Sequence, residues 1–407
     1  MRHTILIWLT WLAAMPLLAQ TDYRNEFSVA DTTFAQDVPT TSDNWLRQRL
    51  DRVTDDPLLQ TVQLGMMVYD LTDQRPLYRW NERYRMRPAS VEKVITSVTA
   101  LDMLGTDFKY HTYLRYTGTL QGDTLRGDLY CIGGFDPTVK RSTLEALADS
   151  LRRAGISRIE GRILADKSMK DTLMLGSGWC WDDPNPTLSP LLIDKKDRFV
   201  QEFRSVLASR GFTLDVAVGQ GRCPQGAVEV ADMATPILLV LDRMMKESDN
   251  LYAESMFYQV AAGMHSMPVK AADGERAVKN LIHRMGYNAA PYSIADGSGL
   301  SPYDFLTPEI VVAFLRYAHD HPSFFPYFYQ ALPIAGRDGT LQNRMKKGRE
   351  HGNVHAKTGT VTGVSTLAGY CRASNGHELC FAIFCQGAQR ASDARAFQDK
   401  VCAALCR

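Results

Sequence analysis

Three features of the sequence predict a mixed α/β protein in which one folding unit is interrupted by another. A strand-turn-strand pattern runs straight into a buried helix near the start. The middle is rich in alternating β-formers with a helix and strand of its own. Strands followed by a closing helix end the chain. The 407 residues, 45% hydrophobic and 22% charged, bound the answer to one large or two modest domains. Forty-six basic against 45 acidic residues, with no block of like charge, exclude nucleic acid as a principal partner.

In "MRHTILIWLTWLAAMPLLAQ", Arg2 and His3 precede an apolar run that ends at Ala19. This pattern predicts a cleaved secretory signal peptide over 1–19 and export to the periplasm or cell envelope. The run is shorter than the ~20 residues of a spanning helix and carries Pro16 near its end, and no cysteine follows it to bear a lipid. No later stretch is long and apolar enough to span a bilayer, so no stable membrane span is expected after cleavage.

"NWLRQRLDRV" has the spacing of an amphipathic helix, and "TVQLGMMVYDLTDQRPLYRWN" reads as two strands about a turn at Thr72-Asp73-Gln74. Val91, Val94, Ile95, Val98, Leu101 and Leu104 then follow helical spacing up to Gly105, which places Ser90 at the amino end of a buried helix. "FKYHTYLRYTGTLQGDTLRGDLYCIGGFDPTV", "TLEALADSLRRAGI" and "RIEGRILAD" form a separate α/β module, and "GWCWDDPNPTLSP" leads back from it. Helical patterning returns with "ATPILLVLDRMMKESDNLYAESMFYQVAA", before the final strands and helix.

Export makes the eight cysteines informative. In "GYCRASNGHELCF" the Asn375-Gly376 pair predicts a two-residue hairpin turn, with Ser374 paired to His377 and Cys371 opposite Cys380 at a non-hydrogen-bonded position. Such a register permits a disulfide, but two reduced buried thiols are the favoured reading. No cysteine spacing resembles a zinc site, and no metal or cofactor is expected.

Ser90 and Lys93 form an S-x-x-K element, Ser248-Asp249-Asn250 lies within "MKESDNLYAE", and Lys357-Thr358-Gly359 lies within "HAKTGTVTG". Each is weak alone. A serine three positions before a lysine arises about once by chance in a chain of this length. Ser-Asp-Asn is more often a cap or turn, and Lys-Thr-Gly a strand end. Their order and settings change the balance: a serine opening a helix, a second motif in a helical region, and a third at the start of a strand.

With these motifs the sequence resembles the D-alanyl-D-alanine carboxypeptidase/endopeptidases, the class C low-molecular-mass penicillin-binding proteins. The similarity extends through "RPASVEKVITSVTALDMLG", "GDLYCIGGFDPT", "GWCWDD", "SDNLYAE", "IADGSGLSPYDFLTP", "LPIAGRDGTLQNRM" and "HAKTGTVTGVSTLAGY". The resemblance implies an α/β (α+β) fold, a penicilloyl-serine-transferase (β-lactamase-like) domain over 20–106 and 225–407, split by an inserted α/β domain over 107–224. The about 155 residues between Lys93 and Ser248 suffice for such an insertion. Many members nest a further β domain after the tryptophan-rich segment, whereas here "SPLLIDKKDRF" runs almost at once into "VQEFRSVLASRGF".

The chemistry follows from the residue types. A serine hydroxyl needs a base, and Lys93 lies one turn along the same helix face as Ser90. To act as that base its pKa must fall by about three units from ~10.4, through burial and a second cation, for which Lys357 is the candidate. The resemblance implies that Ser248 relays a proton to the leaving amine and Asn250 holds the substrate amide. It implies that Lys357 and Thr358 bind the terminal carboxylate of a peptidoglycan stem peptide. Gly359 would clear space for substrate along the strand edge, and the backbone N–H groups of Ser90 and Thr360 would form the oxyanion hole. β-Lactams would act as covalent inhibitors.

Other residues have plainer readings. Asp136 is a turn former before Pro137, Asp296, Gly297 and Ser298 form a structural loop near the cleft, and Trp179 and Trp181 pack the domain junction. Two alternatives stay open: a β-lactamase, although no E-x-x-x-N segment stands between the second and third motifs, and a non-catalytic wall-binding protein, although all three motifs are intact.

Overall fold

The near-continuous apolar run of residues 63–70 is too hydrophobic for a one-sided strand, and in the computed structural model it is covered on both faces. The structure describes residues 41–182 and 185–407, with side chains from 45 onward; the expected signal peptide lies outside these residues. A first helix, α1 (Thr41–Thr54), precedes the hairpin of β1 (Gln63–Asp70) and β2 (Arg75–Trp80), as the alternation about Thr72-Asp73-Gln74 predicts. After a short 3-10 turn over Ala89–Val91, α2 (Glu92–Leu104) runs to Gly105, whose φ of 78° ends the helix.

The middle of the chain builds a second sheet from β3 (Lys109–Tyr116), β4 (Thr119–Gln121), β5 (Thr124–Arg126) and β6 (Leu129–Gly133). The helix α3 (Arg141–Arg153), the strand β7 (Arg158–Asp166), the helix α4 (Phe199–Ser209) and the strands β8 (Thr213–Gln220) and β9 (Val228–Pro236) complete it. Strands β5, β6 and β8 pair parallel to β7, while β3 pairs antiparallel with β6 and β9. Leu144, Leu147 and Leu151 of α3 and Phe203 and Leu207 of α4 cover this sheet in a core of their own. The sheet continues past the expected boundary at 224, because β9 returns to pair with β3 from Lys109↔Pro236 to Tyr116↔Val228. That strand is mostly solvent-facing, and it includes Ala234–Pro236, where the helical pattern of the sequence predicts the start of a helix.

The helices α5 (Ile237–Lys246), α6 (Asn250–Met264), α7 (Ala271–Arg284), α8 (Pro308–His319) and α9 (Phe325–Ala331) follow. The strands β10 (His355–Val361), β11 (Val364–Arg372) and β12 (Glu378–Gln386), with the helix α10 (Ala391–Leu405), close the chain. Both ends of the sequence meet in one antiparallel sheet of order β10-β11-β12-β1-β2. Side-chain alternation decides what each face meets. Met66, Val68, Phe381 and Ile383 face Leu50 of α1 and Phe397 and Val401 of α10. Met67, Tyr69, Ala382 and Phe384 face the helical layer with Ile95, Phe257 and Phe314.

The β11–β12 hairpin corrects the expected register. Cys371 pairs with Leu379 and Tyr370 with Cys380, one position away from the predicted Cys371–Cys380 pair. Gly376 adopts φ 90°, and Ala373 and His377 close a three-residue loop rather than a two-residue one. The slip places Cys371 and Cys380 on opposite faces of the sheet, in separate cores, both as free thiols. Trp179 is buried as expected, but Trp181 is 84% exposed and packs no junction. Among the described residues no helix is long and apolar enough to cross a membrane.

Candidate active site

Four elements bring the three motifs together. The turn into α2 carries Ser90 and Lys93, the break between α5 and α6 carries Ser248 and Asn250, the edge strand β10 carries Lys357 to Thr360, and the segment between α7 and α8 carries Ser298. The second motif does not lie within a helix. Ser248 adopts φ 58°, so the helical pattern breaks there and Asn250 begins α6. Ala89, directly before Ser90, has φ 46°. Left-handed backbone at two non-glycine residues beside one cleft is strain that the surrounding packing must hold.

Lys93 is fully buried, and its Nζ has three neighbours: Ser90 Oγ at 2.9 Å, Asn250 Oδ1 at 2.7 Å and the Ser298 carbonyl at 2.8 Å. Asn250 Oδ1 and a backbone carbonyl can only accept, so they take two N–H bonds. The remaining position faces Ser90, the one neighbour with a proton to give. An ammonium satisfies all three contacts by donating a third N–H to Ser90 Oγ, and a neutral amine satisfies them with its lone pair directed at the Ser90 hydroxyl. Burial pushes Lys93 down to about 8, against the raising effect of Asp296, Glu254, Asp249 and Glu92. Burial, not a second cation, is thus the leading cause of the depressed pKa, which differs from the role expected of Lys357.

Lys357 is fully buried too, donating to Ser248 Oγ at 2.9 Å and to the Thr358 carbonyl at 2.8 Å. Burial first, and then the charge of Lys93, push it well below the ordinary lysine range. Thr358 Oγ1 donates to Thr340 Oγ1 at 2.7 Å, which adds the Gly339–Leu341 turn to the rim of the site. Thr360 is exposed and its hydroxyl accepts from Arg395 at 3.3 Å.

Gly359 is required for a reason other than the expected one. A Cβ there would meet Thr366 Oγ1 at 2.1 Å and Pro88 O and Ser90 N at 2.9 Å. The missing side chain lets β10 approach the turn that carries Ser90. Gly299, with φ 75°, serves the opposite side, since a Cβ would lie 1.8 Å from the Ala89 carbonyl.

Asp296, read as part of a structural loop, organises the fourth element. It accepts from the N–H groups of Ser298, Gly299 and Ser301 and, at 2.8 Å, from Trp179 Nε1. This fixes the Ser298 carbonyl over Lys93, a contact the sequence reading missed; the signal was the run Ala295-Asp296-Gly297-Ser298-Gly299, where an acid precedes two glycines. Lys195, at φ 64°, reaches Asp249 Oδ2 at 2.5 Å and ties the segment before α4 to the second motif. Asp136 is a turn residue, accepting from Thr138 N at 2.8 Å and from Thr235 Oγ1 at 2.5 Å.

A helix opening on a serine, a facing edge strand with Lys-Thr-Gly and an antiparallel sheet built from both chain ends define a penicillin-binding, β-lactamase-like fold. The crystal structure of penicillin binding protein 4 (dacB) from Haemophilus influenzae shares it with a TM-score of 0.79 at 24% identity, over 86% of this chain and 97% of that one. Residues 46–191 and 187–406 match the D-Ala-D-Ala carboxypeptidase 3 (S13) family, and the chain belongs to it as an enzyme of that type. It is 25% identical to the D-alanyl-D-alanine carboxypeptidase DacB of Haemophilus influenzae over 80% of this chain and 85% of that protein. It is 26% identical to the D-alanyl-D-alanine carboxypeptidase of an Actinomadura species over 92% of this chain and 86% of that protein. A predatory endopeptidase from Bdellovibrio bacteriovorus shares the fold at a TM-score of 0.57 and 20% identity, over 83% of this chain and 91% of that one.

Proposed function

We propose that Ser90 is the nucleophile and Lys93 its base in hydrolysis of the D-Ala-D-Ala end of peptidoglycan stem peptides, with endopeptidase action on cross-linked stems through the same serine. The carrying observation is the Lys93 amine, whose two obligate acceptors leave its third position to the Ser90 hydroxyl. Ser90 Oγ gives its proton to Lys93 Nζ and attacks the carbonyl carbon of the penultimate D-alanine. The backbone N–H groups of Ser90 and Thr360 stabilise the oxyanion, worth about 3 kcal/mol per donor. As the C–N bond breaks, Ser248 passes a proton to the departing amine, and its contact with Lys357 at 2.9 Å supplies the link to the third motif. Lys357 and Thr358 hold the terminal carboxylate, Asn250 the substrate amide, and Gly359 the close approach of β10. Water then releases the acyl group from Ser90.

β-Lactams would acylate the same oxygen; one relative's solved structure is a complex of penicillin binding protein 4 with a β-lactam. The sheet pairing supports a division into a serine-transferase unit over 41–108 and 237–407 and an inserted unit over 109–236. The leader-like sequence before Ala19 supports export to the periplasm.

The test is mass spectrometry of the purified protein incubated with pentapeptide muropeptide monomers and cross-linked dimers, beside Ser90→Ala. Loss of one alanine from monomers establishes carboxypeptidase action, and conversion of dimers to monomers establishes endopeptidase action. Substrates left unchanged by the wild type would refute the assignment and favour a binding role.

A further inference from the structure

Four carboxyl side chains gather behind the Lys93 amine and take no part in the steps above: Glu92 of α2, Glu254 of α6, and Asp296 and Asp304 of the segment between α7 and α8. None exposes more than 1% of its surface. Two of them are structural staples. Asp296 gathers backbone N–H groups and the Trp179 indole, and Asp304 Oδ1 accepts from Ala295 N at 2.6 Å.

Glu254 is different. Its Oε2 accepts from Gly297 N at 3.3 Å, with the Ser298 hydroxyl beside the same carboxyl group. Its Oε1, like both oxygens of Glu92 and Oδ2 of Asp304, has no hydrogen-bond partner among the described residues. A charged carboxylate left partly unpaired in a helix interior is strongly disfavoured against the neutral acid. The segment Glu254 touches is the one that holds the lysine: the Ser298 carbonyl accepts from Lys93 Nζ at 2.8 Å and the Gly297 carbonyl from Thr96 Oγ1 at 2.7 Å. Gly297 is pressed onto α6 on either side of Glu254, since a Cβ would meet Phe257 Cβ at 2.4 Å and the Ala253 carbonyl at 2.9 Å.

We propose that Glu254 is a positioning residue for Lys93, acting through Gly297 and Ser298 as an un-ionised carboxylic acid. The proposal rests on the reading of Lys93 as the base. A neutral Glu254 withholds a negative charge that would keep the proton on Lys93. Burial, then the charge of Asp296, push Glu254 up to about 8, and burial carries Glu92 and Asp304 well above the carboxylate range. The groups facing this pocket are Glu92 and Lys93 from α2, Asp296 and Asp304 from the loop, and Tyr258 one turn along α6, with Asp249 and Lys357 facing Lys93 from the cleft side.

The test is the rate of acylation by a fluorescent penicillin as a function of pH, on the full chain and on Glu254→Gln, Glu254→Ala and Lys93→Ala. Glu254→Gln keeps both the contact with Gly297 and the neutral state of the un-ionised acid, so the midpoint of the acid limb should stay within about 0.2 pH unit of the wild type and the rate within about threefold. Glu254→Ala releases the segment, and its rate should fall about tenfold at every pH. A midpoint lowered by about half a pH unit or more in Glu254→Gln would show that Glu254 is ionised, and that result, or a wild-type rate in Glu254→Ala, overturns the proposal. Normal acylation of Lys93→Ala would instead sink the reading of Lys93 as base, so the two failures are distinguishable.

Discussion

Asn250 Oδ1 accepts a hydrogen bond from Lys93 Nζ at 2.7 Å across 157 positions of chain, so the lysine of the first motif is oriented by the second. On the proposed mechanism Lys93 acts as part of a unit, and its removal should cost nearly as much as removal of Ser90. Ser90→Ala should abolish covalent labelling by penicillin, and Lys93→Ala should slow it by about a thousandfold or more, because members of a catalytic unit do not contribute additively. Both variants should keep the wild-type circular dichroism spectrum. Labelling that persisted in Ser90→Ala would remove Ser90 from the mechanism.

The pH dependence follows from the burial of Lys93. As the proposed base its amine would act only when unprotonated, and burial pushes its pKa down to about 8. Below that value the ammonium form dominates and acylation should fall about tenfold per pH unit; through about pH 8 the rate should level off. An exposed lysine would give a rising limb that continues to about pH 10. Stopped-flow acylation across this range separates the two, and a rate still climbing at pH 10 would show that the amine is not held neutral by its surroundings.

Gly359 is sterically required at the meeting of β10 and the Ser90 turn. Gly359→Ala places a Cβ 2.1 Å from Thr366 Oγ1 and 2.9 Å from Ser90 N, so the strand or the turn must move. We expect destabilisation of about 1–3 kcal/mol by thermal or urea unfolding, as for overpacked cores. Acylation should fall at least about tenfold through misplacement of the nucleophile. A variant as fast and as stable as the wild type would mean that the two elements are not in close contact in solution.

Much of this was legible in the sequence wherever one strong period ruled. The strand over Arg158–Asp166 and the helix ending at Gly105 match their patterns, because each carries a regular spacing of apolar residues that the surrounding core buries. The three motifs were found for the same reason, since each sits at an element boundary. What was not legible depended on backbone dihedrals set by tertiary contacts. Ser248 at φ 58° breaks a pattern that reads as one long helix, and Gly376 at φ 90° shifts the terminal hairpin by one residue. Glu254 stayed hidden because an acid in a helix that tertiary packing buries on all sides gives no local sign of the loop it meets. Its one trace is its position between Ala253 and Ser255, on a helix with no solvent-facing side until its last turn.

Trp179 links the segment after β7 to the lysine through Asp296, its Nε1 donating to Oδ2 at 2.8 Å in a buried site. Trp179→Phe keeps most of the packing and removes that bond. A buried carboxylate deprived of a donor should cost about 1–3 kcal/mol of stability. Acylation should slow as the Ser298 carbonyl loses its anchor, while a change at the exposed Trp181, Trp181→Phe, should alter neither quantity. Equal behaviour of the two variants in unfolding and in penicillin labelling would remove the indole from the support of the site.

The shifted hairpin makes a chemical prediction. Cys371 and Cys380 point into separate cores, and Cys131, Cys385, Cys402 and Cys406 are buried as well, which leaves Cys180 exposed and Cys223 half-buried. Burial pushes the Cys385 thiol up to about 12 and raises Cys131, Cys380 and Cys402, so thiolate is scarce at neutral pH. A maleimide applied to the native protein at pH 7 should therefore modify Cys180 first, then Cys223, and leave the other six until denaturant is added. Peptide mapping of unreduced protein should find no Cys371–Cys380 disulfide, because residues on opposite faces of a sheet cannot bring their sulfur atoms together. A peptide pair joined through those two cysteines would require the two-residue turn and would overturn the observed register.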